Sequence, residues 1–175
     1  GAEAEKIFEA ISSLNLKPII ILNTHGHVDH TGANLDLKER YQVPIALHPG
    51  DLPLLEEYLQ LELGLMLGAR PAPAPDHLLA DGEKIAVGES FLQVIHSPGH
   101  SPGSVCFYTD HLLFAGDTLF CGGVGRTDLP GGSWKDLAHS LKARVMTLPD
   151  ETVVLPGHGP KTTIGEERES NPYLE

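Results

Sequence analysis

Between Thr24 and His30 the chain reads Thr-His-Gly-His-Val-Asp-His, three imidazoles and a carboxylate crowded together directly after the apolar run Ile19-Ile20-Ile21-Leu22. A continuous run of β-branched residues and leucine predicts a buried strand over 18–23. Side chains that follow such a strand emerge where it leaves the sheet, which is where α/β folds receive ligands. Imidazole and carboxylate are ligands for zinc and similar first-row ions, and Gly26 is expected to let the backbone turn tightly enough for them to converge. At i and i+2, His25 and His27 can face one side while Asp29 and His30 face another, so one loop can serve two adjacent ions. The bland alternative is a His-rich loop or a tag. A tag is a monotonous polar run, whereas this stretch lies between a strand and a helix, the context that makes a metal motif credible.

Two ions need further donors, and three later turns supply candidates. His100 stands in Ser97-Pro98-Gly99-His100-Ser101, Asp117 in Ala115-Gly116-Asp117-Thr118, and His158 in Pro156-Gly157-His158-Gly159, each at the exit of an apolar strand. Any one alone is more often a turn or a hydrogen-bonded core group. With His25, His27, Asp29 and His30 they are enough for two ions with three protein ligands apiece, one shared carboxylate and open positions for water.

The pattern between these motifs predicts the elements that carry them. Ile7, Phe8, Ile11 and Leu14 give a helix over 2–14 one apolar face. A second helix is expected over Asn34 to Arg40, stopped by Pro44, with a short strand at Ile45-Ala46-Leu47. Asp51 is read as the N-cap of a helix from Leu52 to Leu67, with Leu52, Leu55, Leu59, Leu63 and Met66 on one stripe. Pro71, Pro73 and Pro75 make 69–77 a stiff, extended linker. Strands are then expected at Lys84 to Val87, Phe91 to His96, Val105 to Tyr108 and His111 to Ala115, forming a second, antiparallel sheet. A helix capped by Ser133 over Trp134 to Thr147, a strand at Val153 to Leu155 and a helix over Ile164 to Glu169 complete the chain. With no repeated unit, residues 1–175 read as a single domain.

The 175 residues, 41% of them hydrophobic, are sufficient for a substantial core. A formal charge of −12 argues against nucleic acid or an anionic membrane as partner, and no apolar run approaches bilayer length. Without a signal-like start, cytoplasm is the expected location. Cys106 and Cys121 form neither a metal-type pair nor a disulfide framework. Cys106 reads as a core residue, and Cys121 either as structural or as lining the pocket. His48, His77, His96, His111 and His139 are assigned structural or solvated roles, with His48 and His96 close enough to motif loops to brace donors.

His25-Gly26-His27-Val28-Asp29-His30, followed by Ser-Pro-Gly-His100, Gly-Asp117 and Pro-Gly-His158, resembles the metallo-β-lactamase superfamily over nearly the whole chain. Within it, Gly122-Gly123-Val124-Gly125-Arg126-Thr127-Asp128 and the terminal Asn171-Pro172-Tyr173 are similar to the short bacterial glyoxalase II-like (hydroxyacylglutathione hydrolase-like) type. The resemblance implies an α/β fold, an αβ/βα four-layer sandwich with metals at one edge, here lacking the family's usual N-terminal strands. It assigns His25, His27 and His100 to one ion, Asp29, His30 and His158 to the other, and a bridging place to Asp117, with Asp29 and Asp117 as the catalytic carboxylates. The ions are expected to be divalent, zinc first, iron or manganese next. The basic C-terminal segment with which longer glyoxalase II enzymes grip glutathione has no counterpart in the residues after His158.

A hydroxide shared by two such ions is nucleophilic near neutral pH, and a thioester suits it because a departing thiolate, with a conjugate-acid pKa of about 8.5, needs little protonation. Arg126 and Lys161 are candidates to hold an anionic end of a small-molecule thioester, although Arg126 and Asp128 read equally well as a loop-fixing ion pair. Two other readings stay open. One is an iron persulfide dioxygenase with His25, His100 and Asp117 on a single iron. The other is a metal-binding fold without turnover. Oligomeric state is not legible.

Overall fold

The computed structural model describes residues 3–66 and 68–174, except for the side chains at 58–60. The chain divides into two compact units, residues 1–78 and 79–175.

In the first unit, helix α1 (Ala4–Ser13) directs Phe8 into a small core with Ala33 and Leu37, and Ile7 and Ile11 pack against it. Ala2, placed in the same helix by its sequence, lies outside the described residues. Leu14 departs from the expected apolar face and is exposed. The chain has already reversed there: Asn15 takes φ 50° and Leu16 N–H donates back to the Ile11 carbonyl at 3.0 Å. Strand β1 (Ile21–Leu22) is followed by helices α2 (Val28–Thr31) and α3 (Asn34–Tyr41) and by strand β2 (Ile45–Leu47). The parallel pairing of β1 with β2 is what requires a helical crossover between them. Strand β3 (His77–Leu78) pairs in parallel on the other side of β2. This order corrects the expected burial: β2, the centre of the three, is fully buried, whereas β1 is half-buried and Ile19 is exposed.

The single helix expected over 52–67 is two helices, α4 (Leu52–Leu55) and α5 (Tyr58–Met66). Glu56 and Glu57 N–H groups bond three residues back, to Pro53 and Leu54, a tighter winding that breaks the α-helical register. The predicted leucine stripe is therefore interrupted. Leu54 is buried, Leu63 is exposed and Met66 is 81% exposed, while Leu67 and the Leu59 side chain lie outside the described residues. The proline-rich segment that follows is pinned by charge. Arg70 bonds Asp36 and Glu39, and Asp76 accepts from Lys38 and from Ile45 N–H, which lowers its carboxyl pKa. The linker ends one residue early, because His77 is already in β3.

The second unit is built on strands β4 (Lys84–Val87), β5 (Ser90–His96), β6 (Val105–Thr109) and β7 (Leu112–Gly116), which meander antiparallel as expected. The sheet is nevertheless mixed, since β10 (Val153–Pro156) joins it parallel to β7 and β11 (Thr162–Thr163) pairs antiparallel to β10. Between them come the hairpin of β8 (Leu119–Phe120) and β9 (Gly123–Val124), helix α6 (Trp134–Ala143), a 3-10 turn (Val145–Thr147) and, last, helix α7 (Ile164–Ser170). The helix expected to run to Thr147 thus ends four residues earlier as α-helix. Ile95, Cys106, Leu113, Ala115 and Val154 of the sheet pack on Leu137, Leu141 and Ile164 of the helices, forming the core that holds the strand ends in register. Ser133 caps α6 as predicted, its hydroxyl accepting from Asp136 N–H.

Candidate metal donors

In the first unit the donor loop is held from behind. Asn23, just past β1, forms a buried amide pair with Asn34 and donates to the His30 carbonyl at 3.2 Å. His27 occupies the N-cap position of α2, and His30 and Thr31 N–H groups both bond its carbonyl. The ring of His25 lies 4.9 Å from that of His27 and 4.0 Å from that of His30, and His30 Nε2 is 3.5 Å from Asp29 Oδ2. One turn of chain therefore brings together all four donors read from the motif.

At Gly26 the close approach of a second loop excludes a side chain. Its φ is not positive; what it permits is close approach, since a Cβ there would lie 3.1 Å from both the Asp51 Cβ and carbonyl oxygen and 3.2 Å from Leu54 Cβ. Asp51 stands at the N-cap position of α4 as expected, but its side chain does not cap the helix. Its fully buried carboxylate accepts Gly26 N–H at 2.8 Å, gripping the backbone between His25 and His27. His48 supports that arrangement, its Nδ1 accepting Gly50 N–H in the 3-10 turn (Pro49–Asp51). Asp51 was missed because Asp before a Leu-Pro helix start has an obvious local explanation. The available signal was that His-Pro-Gly-Asp follows strand β2 just as the other donor turns follow theirs.

In the second unit the donors come from three turns. Strands β5, β7 and β10 all run the same way, because β6 is antiparallel to both β5 and β7 while β10 is parallel to β7. Their C-terminal ends lie along one sheet edge, and His100, Asp117 and His158 follow them. His100 Nε2 lies 3.7 Å and His158 Nε2 3.6 Å from the same Asp117 oxygen, Oδ2. His100 and Asp117 are largely enclosed, while the His158 side chain is 57% exposed, with Phe120 edge-on to its ring.

The Gly125-Arg126 segment fixes two of these donors. A Cβ on Gly125 would collide with the Asp117 carbonyl and touch His100 Cβ, so only glycine fits. The Arg126 carbonyl lies 2.8 Å from His100 Nδ1. A carbonyl can only accept, so Nδ1 carries a proton, and in the neutral form of the ring this leaves the lone pair at Nε2. That lone pair faces a carboxylate oxygen across a gap too long for a hydrogen bond. Two ligand atoms on one tetrahedral zinc ion, each at about 2.0–2.1 Å, are separated by roughly 3.3 Å. The spacing and the tautomer thus both fit a cation better than a direct contact. A divalent ion fits this donor chemistry.

Arg126 itself forms a bidentate pair with Asp128 at 2.7 and 2.8 Å, with both side chains mostly exposed. The guanidinium hydrogen bond lowers the Asp128 pKa to about 2. This is the loop-fixing geometry of the two readings Arg126 allowed. Lys161 is exposed in the turn after His158. His96 donates from Nε2 to the Pro102 carbonyl, bracing the loop that carries His100, whereas His77, His111 and His139 are exposed. Cys106 is fully buried, its thiol pKa raised by desolvation, as its core assignment requires. Cys121 is exposed in the β8–β9 turn.

No helix among the described residues is long and apolar enough to cross a membrane. A family model described as the Metallo-beta-lactamase superfamily matches residues 1–158. The chain is 44% identical to TTHA1623, crystallised in a di-iron-bound form, at a TM-score of 0.89 over 99% of this chain and 86% of that one. It is 36% identical to the hydroxyacylglutathione hydrolase GloC of Haemophilus influenzae over 99% of its own length and 84% of the relative. ETHE1 from Myxococcus xanthus is 30% identical, with a TM-score of 0.79 over 96% of this chain and 68% of that one. By sequence and by its mixed α/β fold, which is that of a divalent-metal-binding group of proteins, the chain belongs to the metallo-β-lactamase superfamily.

Proposed function

We propose that this protein is a dinuclear metal-dependent hydrolase of the glyoxalase II-like type, cleaving a small-molecule thioester such as a hydroxyacylglutathione. The observation that carries the reading is the Asp117 carboxylate, one oxygen of which lies 3.7 Å from His100 Nε2 and 3.6 Å from His158 Nε2. A carboxylate so placed suits a bridge between two ions. In this reading His25, His27 and His100 would hold one ion and Asp29, His30 and His158 the other.

Two divalent ions, zinc in the first instance, supply a water made nucleophilic near neutral pH and a Lewis acid for the thioester carbonyl. The chain's own residues do the rest. Asp29 and Asp117 would offset the charge of the ions. The Arg126 carbonyl keeps His100 in the tautomer that can ligate. Asp51 holds His25 and His27 at constant separation through the Gly26 amide. No separate general acid is needed for a thiolate leaving group. Lys161 is positioned in sequence to meet an anionic end of the substrate, while Arg126, committed to Asp128, acts chiefly on its own loop.

The similarity to GloC supports this reading. A mononuclear iron persulfide dioxygenase using His25, His100 and Asp117 is the second, favoured by the similarity to ETHE1. The test is metal content alongside two assays, S-lactoylglutathione hydrolysis and oxygen uptake with glutathione persulfide. Two ions per chain with hydrolysis supports the proposal. One iron with oxygen uptake supports the second reading, and bound metal with neither activity leaves a binding fold.

A further inference from the structure

Helix α7 ends in a buried polar hub. Glu167 and Asn171, one turn apart, are 2% and 3% exposed. Glu167 Oε1 accepts from the Thr162 hydroxyl at 2.6 Å, and Oε2 accepts from Gly122 N–H at 2.9 Å and from Asn171 Nδ2 at 2.7 Å. The same Asn171 amide nitrogen donates to the Gly123 carbonyl at 3.0 Å, and its Oδ1 accepts Tyr173 N–H. A buried carboxylate and a buried amide, each satisfied several times over, are costly to assemble and hold their partners in one geometry.

What they hold is the turn of the β8–β9 hairpin. This hairpin starts two residues after Asp117 and ends immediately before Gly125 and Arg126. It therefore joins one donor to the backbone that orients another: Gly125 rests on the Asp117 carbonyl, and the Arg126 carbonyl accepts a hydrogen bond from His100 Nδ1–H. The β8–β9 pairing at Leu119↔Val124 and Phe120↔Gly123 connects the hub to these contacts.

We infer that Glu167 and Asn171 are positioning residues for the metal centre, clamping the Gly122–Gly123 turn so that the hairpin sets the His100 tautomer and the His100–Asp117 spacing. The inference rests on the reading of His100 and Asp117 as metal donors. It gives the C-terminal helix a role in metal affinity although neither residue is itself a donor there.

The test compares Asn171→Ala with Thr163→Ala. The latter removes the hydroxyl that caps α7, which accepts Glu166 N–H at 3.2 Å, and so loosens the first turn while leaving every donor and acceptor of the hub in place. Two quantities are read: the His100 ring tautomer in metal-free, 15N-histidine-labelled protein by long-range 1H–15N NMR, and zinc affinity by competition with a chromophoric chelator. Asn171→Ala is expected to turn a single Nδ1–H tautomer into a mixture and to weaken zinc binding about 10–100-fold. Thr163→Ala is expected to lower the melting temperature and leave both readouts at their wild-type values. If Asn171→Ala does not fold, Glu167→Gln is measured in its place. An unchanged tautomer and affinity in the hub variant, or equal changes in Thr163→Ala, overturns the inference. The tautomer is read without metal or turnover, so absence of thioester hydrolysis in the wild type would count against the proposed function and not against the hub.

Discussion

The two donor groups are built on different principles. His25, His27, Asp29 and His30 come from one turn of chain, and their geometry is set locally by the His27 N-cap, the Asn23–Asn34 pair and the Asp51 carboxylate under Gly26. His100, Asp117 and His158 come from three turns and meet only because β5, β7 and β10 end on the same sheet edge in a particular register. A local group tolerates strain elsewhere in the fold, whereas an assembled group reports on the whole sheet. The assembled group has braces of its own: the Arg126 carbonyl, the Gly125 contact and the proposed hub on α7.

The sharpest break in this contrast is Asp117→Ala. It removes the oxygen that both His100 and His158 approach, and with it a metal contribution of several kcal/mol. A loss of about 10³-fold or more in kcat/KM is expected, with reduced metal content by elemental analysis. Retention of both ions and near-normal activity would show that the second group is not assembled around this carboxylate.

Next in size is Gly125→Ala, which drives a Cβ into the Asp117 backbone. It should cost roughly 1–3 kcal/mol of stability in denaturant unfolding and perturb His100 more than His25. Asp51→Ala is the matching probe of the local group. Removing a buried acceptor from Gly26 N–H is expected to cost about 1–3 kcal/mol and to weaken metal binding roughly 10–100-fold, with His25 and His27 resonances moving first. Equal shifts of both groups in each variant would erase the distinction between local and assembled geometry.

The smallest effect belongs to the exposed Arg126–Asp128 pair. The folded-state Asp128 pKa of about 2 lies below its unfolded value of about 3.9, so any stabilisation it gives is complete above pH 4 and is lost as pH falls towards 2. Asp128→Asn should therefore match the wild type least well near neutral pH and converge with it in acid. A melting-temperature series across pH 2–7 checks this, and a difference that grows on acidification contradicts it.

The same contrast explains what could be read from the residues. The local group was legible because every donor lies in one motif after one apolar run. The later donors were legible as turn motifs, each weak alone. Their supports were not, since nothing in Arg126 says that its carbonyl rather than its guanidinium orients His100, and an i,i+4 Glu167–Asn171 pair at a helix end reads as solvated until Gly122 and Gly123 are seen beside it. The main strands of the second sheet followed from alternation. The parallel joining of β10 to β7 did not, because register between distant segments leaves no local trace, and the two-residue strands β8 and β9 are too short to show a period. The break between α4 and α5 was hidden by leucines that keep a helical spacing across it.

The central claim is the proposed assignment of two ions to these seven donors. A crystal structure of zinc-reconstituted protein, with anomalous data on both sides of the zinc edge, tests it most directly. The account predicts two anomalous peaks bridged by Asp117, one ligated by His25, His27 and His100 and the other by Asp29, His30 and His158. A single peak, or peaks bound to only one of the two groups, would contradict it.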